Sequence, residues 1–204
     1  MNFTNSINTL SFLPPEIIYF EKSMRISNIQ AANNVILQEG VFIVISNALQ
    51  KPPHLSLLVD GKIFSLSVKG PQLDFSSEKY IKWLKIKHIP ALFIQLNNFN
   101  FNRENQLRYI TAQKSILKFP RVEAGIITCL SPIKNFCAKT FQINVSKVDS
   151  IFELLPILFE QKHIVACYHY NMKKHLLNQS FELEKYSVQD IYESICRYQL
   201  SEVV

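Results

Sequence analysis

Glycine is the residue this chain uses least among the small ones. Gly40, Gly61, Gly70 and Gly125 are the only four in 204 residues. A phosphate-cradling loop needs several glycines within a few positions, for positive φ and close backbone approach. Neither a P-loop nor a dinucleotide fingerprint can be built from four scattered ones, so a nucleotide-cradling fold is excluded. Long apolar runs are missing too, and none nears the length of a membrane span. Met1–Ser11 lacks both the basic start and the apolar stretch of a signal peptide. The expectation is a cytoplasmic protein with no membrane span, whose four cysteines (Cys129, Cys137, Cys167 and Cys196) stay reduced. Repeats, low-complexity tracts and Pro/Gly/Ser linkers are absent as well. Residues 1–204 therefore read as a single domain, with a core over about 40–141, an N-terminal segment 1–39 and a C-terminal extension 150–204.

Acidic residues are fewer than basic ones, 16 against 22, giving a formal net charge of +6. The basic residues are spread along the chain apart from Lys79–Lys87 and the Lys173–Lys174 pair. No basic run interleaves with aromatics in a known module, so nucleic acid is not the expected partner. What the chain does have is apolar mass: 48% hydrophobic residues, including 15 Phe and 8 Tyr, enough for a Phe-rich core.

The strongest local signal is a β-hairpin. His54–Val59 and Lys62–Val68 are β-rich runs joined by Asp60-Gly61, which supplies the positive φ angles of a type I′ turn. Gly70-Pro71 is expected to end that pair. Val41–Ser46, Ala91–Leu96 and Ile164–Tyr170 read as further strands. Helices are expected over Glu16–Met24 behind Pro14-Pro15, and over Ser77–Lys87, Arg103–Leu117, Leu130–Phe141, Ser150–Phe159 and Val188–Tyr198, the last capped by Ser187. An Asn-rich turn through Asn102 precedes the helix at 103. Ser131 is the candidate N-cap of the helix at 130, with Pro132 at its first position. Hairpins mixed with helices, without strict βαβ alternation, indicate an α+β fold with an antiparallel sheet packed against helices.

Two residues in this frame could carry chemistry. Cys129 stands just ahead of a predicted helix, where the dipole favours a thiolate. His54 opens a strand, where a sheet would fix its ring. A thiol at a helix start facing an imidazole on a strand is a working nucleophile–base pair. The alternative is a small buried cysteine and a half-exposed histidine with no chemistry between them.

The order of these elements resembles circularly permuted NlpC/P60-like proteins of the papain-like fold. Glu39-Gly40-Val41-Phe42-Ile43 resembles their "Gly-Asp-Ile-Ile" strand. His54-Leu55-Ser56-Leu57-Leu58-Val59-Asp60-Gly61-Lys62 is similar to their "His-Val-Gly-Ile-Tyr-x-Gly-x-Gly-Lys" hairpin. Ile127-Thr128-Cys129-Leu130-Ser131 is similar to "Tyr-Cys-Ser-Glu-Leu" at their helix start. The likeness spans about Gly40 to Phe141. It implies a papain-like α+β core with Cys129 as nucleophile, His54 as general base and Ser65 or Ser67 where the family often has an acidic residue to orient the imidazole. It also implies hydrolysis or acyl transfer at an amide, ester or thioester of a peptide or lipid, with no cofactor. Phe119-Pro120 replaces the family's "Pro-Tyr" ahead of the cysteine. Asn135-Phe136-Cys137 resembles the "Asn-Cys" of lecithin retinol acyltransferase-like relatives, which makes Cys137 a second candidate nucleophile.

Three other readings accompany this one. The first is a non-catalytic binding or scaffold protein with a degenerate site and a protein partner. The second is a basic nucleic-acid-associated subunit. The third is a metal site at His163, Cys167 and His169, which period-two alternation would put on one strand face, with His175 as a fourth ligand.

Overall fold

The computed structural model describes residues 14–97 and 105–201. Ten strands and five α-helices lie within them. In chain order the strands are β1 (Ile17–Tyr19), β2 (Ser23–Ile26), β3 (Ile29–Ala31), β4 (Val41–Ser46), β5 (His54–Val59), β6 (Lys62–Ser67), β7 (Gly70–Ser76), β8 (Ala91–Leu96), β9 (Ile164–Tyr170) and β10 (Phe181–Glu184). The helices are α1 (Ser77–Ile86), α2 (Asn105–Leu117), α3 (Leu130–Phe141), α4 (Ile151–Glu160) and α5 (Val188–Ser201).

Strand β4 is the centre, and all of its residues are buried. Val41, Ile43 and Ile45 enter one core cluster, while Phe42 and Val44 enter a second on the opposite face. A β-branched run without polar alternation is what a strand covered on both faces requires. The first cluster is completed by Ala112 and Ile116 of α2, Ile133, Phe136 and Cys137 of α3, and Leu154, Leu155 and Leu158 of α4. The second is closed by Tyr80, Ile81 and Leu84 of α1. The result is three layers: α2, α3 and α4 on one face of the sheet, α1 on the other.

Seven strands make that sheet, in the order β3-β9-β8-β4-β5-β6-β7. All neighbours are antiparallel except β3 with β9. Strands β1, β2 and β10 form a smaller antiparallel sheet. The fold is α+β, and no described helix is long and apolar enough to cross a membrane.

The hairpin β5–β6 turns at Asp60-Gly61 with φ of 46° and 75°, the positive pair that its sequence demands. A Cβ on Gly61 would push aside the Gln38 side-chain oxygen, 2.8 Å away, and would sit on a backbone whose φ of 75° strains any L side chain. Asp60 Oδ1 accepts from the Gly40 N–H at 3.0 Å and from Arg108 Nη2 at 2.9 Å, fastening the turn to β4 and α2.

Two local expectations are corrected and one is extended. Residues 16–24 form no helix but β1 and the start of β2, which pair with each other and, through β2, with β10, burying Ile17, Met24 and Ile26 while Ile18, Tyr19 and Phe20 stay exposed. The β5–β6 pair is over by Gly70-Pro71, β6 stopping at Ser67, but a further strand begins there. Gly70 takes φ of 109° and opens β7, an edge strand, where a proline without an N–H is tolerated. Ser131 does not cap α3. Thr128 fills that role: its Oγ1 accepts from the Leu130 N–H at 3.2 Å, while Ser131 Oγ accepts from the Thr128 N–H at 3.0 Å. Helices α1, α4 and α5 and strands β4, β5, β8 and β9 form where expected. The chain up to residue 13 and the Asn-rich turn at 98–104 lie outside the described residues.

Candidate active site

The site is built where β5 and β6 part. Their pairing ends at Ser56↔Ser65. Beyond that point the backbone of Leu55 lies beside the sulfur of Cys129, the residue immediately ahead of α3, close enough to favour negative charge there. The backbone at Cys129 and Leu130 lies close enough to the same sulfur to favour negative charge on it. Burial pushes the Cys129 thiol above its ordinary range, and the neighbouring backbone of Leu55, Cys129 and Leu130 works in the opposite direction. The group is therefore a neutral thiol at rest, raised by burial.

His54 sits one residue before Leu55 and is half-buried. Its Nε2 and the Ser65 Oγ are 2.8 Å apart, which fixes the ring. That contact leaves Nδ1 as the nitrogen for proton transfer. Burial lowers the imidazole below its ordinary range, so the ring is the neutral base near pH 7. Ser67 is occupied elsewhere, in the β6–β7 turn, where its hydroxyl accepts from the Lys69 N–H and donates to the Gly70 carbonyl. Of the two serines on the returning strand, Ser65 is the one on the histidine. Among the described residues no direct Sγ–imidazole hydrogen bond is formed. The two groups meet through the Leu55 backbone and across one cleft.

That cleft has a volume of about 730 Å³, and Cys129, His54 and Ser65 all line it. This is the size of a pocket for a small molecule or a peptide segment. The loop at Pro52-Pro53 and the strand residues Ile63 and Leu66 form one wall. The C-terminal extension forms the other, through Tyr186 and the α5 residues Ile191, Ser194, Ile195 and Tyr198. Helix α5 is held there because Ile195 packs with Leu66 and Val122. Ser187 caps it, its hydroxyl accepting from the Asp190 N–H at 3.1 Å.

Tyr186 is a site residue that sequence reasoning missed. Its ring packs edge-on against Phe152, with centroids 5.1 Å apart. Its phenol lies beside the Ile151 backbone at the start of α4 and close enough to Cys129 to feel a charge there. Burial and that neighbour both raise the phenol above its ordinary range, so it remains a proton donor beside the thiol. Lone tyrosines between a strand and a helix carry no sequence signature.

The other candidates are not gathered here. Cys137 is fully buried in α3 within the first core cluster, where loss of water pushes its thiol up. Cys167 is buried in β9 and pushed up to about 12 for the same reason. His163 precedes β9 and stacks on Phe141 at 4.4 Å. The β8–β9 register slips at Leu96, paired with Ile164, so the alternation does not carry through to residue 163. His175 is exposed in a short 3-10 turn. Among the described residues no three His, Cys, Asp or Glu side chains are placed to hold a metal ion. Comparison of the chain with protein-family models, curated proteins and solved structures finds no match.

Proposed function

We propose that this protein is a cysteine hydrolase or acyltransferase of the papain-like, permuted NlpC/P60 type, acting on an amide, ester or thioester of a peptide or lipid. The observation that carries the reading is the convergence of Cys129, His54 and Ser65 on one cleft, with His54 Nε2 held by Ser65 Oγ at 2.8 Å. His54 takes the thiol proton as Sγ attacks the substrate carbonyl carbon. The carbonyl π electrons move onto oxygen, and N–H groups at the start of α3 stabilise that oxyanion. Collapse expels the amine, alcohol or thiol, which leaves with the proton from His54. A thioester remains on Cys129. Water, or an acyl acceptor, then attacks it with His54 again as base. Contacts between base and nucleophile that are long at rest tighten once substrate occupies the cleft.

A second reading is favoured by one feature of the same site. The thiol is held neutral by burial, and a hydroxyl, not a carboxylate, orients His54. A degenerate binding site on a scaffold protein would look this way. Iodoacetamide labelling followed by peptide mass spectrometry separates the two. The enzyme reading expects Cys129 to be alkylated ahead of the other cysteines, and at least about tenfold more slowly in His54→Ala, since base assistance is worth roughly 100-fold or more in a full reaction. Equal labelling in the two proteins supports the degenerate site.

A further inference from the structure

Helix α1 covers the sheet with one face and leaves the other open. Tyr80, Ile81 and Leu84 are buried, whereas Lys79, Lys82, Trp83, Lys85 and Ile86 are exposed. Positions 79, 82, 83 and 86 follow the spacing of one helical stripe. Two large apolar side chains stand in that stripe, Trp83 at 41% and Ile86 at 62% exposure. Around them lie four lysines, counting Lys87 just after the helix, against one acid, Glu78. Among the described residues no ion pair engages any of these lysines. Lys79 stands in the first turn, where the helix dipole disfavours a cation. Its position does not serve the helix, and the charge is available to something outside.

Apolar side chains ringed by unpaired lysines on one helix face match the headgroup region of an anionic bilayer. The rings and branched chains enter the acyl boundary and the ammonium groups meet phosphate and carboxylate. A nucleic acid would use the lysines but gains nothing from a buried Ile86. We propose that the outer face of α1 docks this protein on an anionic phospholipid surface. Trp83 also lines the candidate catalytic cleft, so docking brings the mouth of that cleft to the bilayer. The docking rests on α1 alone and needs no chemistry at Cys129. Its bearing on substrate, which favours the acyl group of a lipid over a peptide, rests on the acyl-transfer reading above.

Trp83 is the only tryptophan in the chain, so its fluorescence reports on the proposed face without labelling. Vesicles of phosphatidylcholine with 30% phosphatidylserine, added in ~0.1 M NaCl, are expected to shift its emission to the blue, and bilayers of brominated lipid to quench it. Partitioning should fall roughly fivefold per lysine removed, hence on the order of 100-fold in Lys79→Gln/Lys82→Gln/Lys85→Gln, whose substitutions are all at exposed positions. Cys129→Ala should bind as the unmodified protein does, which separates a failure of docking from a failure of the catalytic reading. No shift with anionic vesicles overturns the proposal. An equal shift with pure phosphatidylcholine overturns the role of the lysines. Binding of single-stranded RNA without binding of vesicles replaces the membrane with a nucleic acid and overturns it as well.

Discussion

Replacing Arg108 by Met removes the cation that holds the hairpin turn to α2. Arg108 Nη2 donates to Asp60 Oδ1 at 2.9 Å, with the two side chains only 8% and 19% exposed. After the substitution Asp60 Oδ1 keeps the Gly40 N–H, a single neutral donor at 3.0 Å. Asp60 Oδ2 is buried and has no hydrogen-bond partner among the described residues. Breaking a buried ion pair by removing one member costs about 3–5 kcal/mol, because a charge is left without compensation. Asp60 retains some contact with water, so the low end applies, about 3 kcal/mol. For a chain of this size that corresponds to a fall in Tm of roughly 6–12 °C. Asp60→Asn together with Arg108→Met should cost less than the sum of the two alone, since the double change leaves neither charge buried. Urea unfolding followed by circular dichroism measures all three. A loss below about 1 kcal/mol for Arg108→Met would put the pair among exposed ones and refute the argument that it anchors the strands bearing His54 and Ser65.

Ser65→Ala removes the hydroxyl on His54 Nε2, and should slow alkylation of Cys129 by about 2–10-fold, the worth of one hydrogen bond; an unchanged rate means the contact orients nothing. The rate of Cys129 alkylation should depend on pH through His54. Because the imidazole is lowered by burial, its basic form is present at neutral pH and is lost as pH falls below the ordinary value of about 6.5 and through the lowered one. The profile is then a plateau with an acid limb, and a curve that only climbs above pH 8 would show an unassisted thiol. Stability has the same sign. His54, His163 and His169 are all lowered by burial, so the unfolded chain binds protons that the folded one does not as pH drops below about 6.5. The urea midpoint should therefore fall between pH 7 and pH 5, and a flat midpoint contradicts that. Cys137 and Cys167, buried and raised, should resist thiol reagents until the protein unfolds; labelling of either at the rate of Cys129 would contradict their place in the core.

The parts of this fold that were legible in the sequence are those fixed by neighbours along the chain. Asp60-Gly61 requires positive φ at two adjacent residues whatever surrounds it, and β4 announces a doubly covered strand by its uninterrupted β-branched run. Helix α4 carries its own start signal: Ser150 and Glu153 form a capping box. What was not legible depends on partners far away. Ser23–Ile26 becomes a strand between β1 and β10, and β10 lies more than 150 residues on. Gly70-Pro71 reads as a terminator, yet an edge position lets a strand begin there. The same division runs through the site. Cys129 and His54 were singled out as candidates from order and local position, and both line the same cleft. Ser65 was separated from Ser67 only by the twist of the hairpin, and Tyr186 emerged only when the chain after β10 folded back over the thiol.

The central claim is that Cys129 is a nucleophile served by His54. Its most direct test is the intact mass of the protein after brief exposure to p-nitrophenyl hexanoate at pH 7.5, with the acylated peptide identified by fragmentation. The account predicts one hexanoyl group on Cys129, released on standing or on adding an acyl acceptor, absent in Cys129→Ala and strongly slowed in His54→Ala. An unmodified Cys129, or acylation that proceeds equally well without His54, would contradict it.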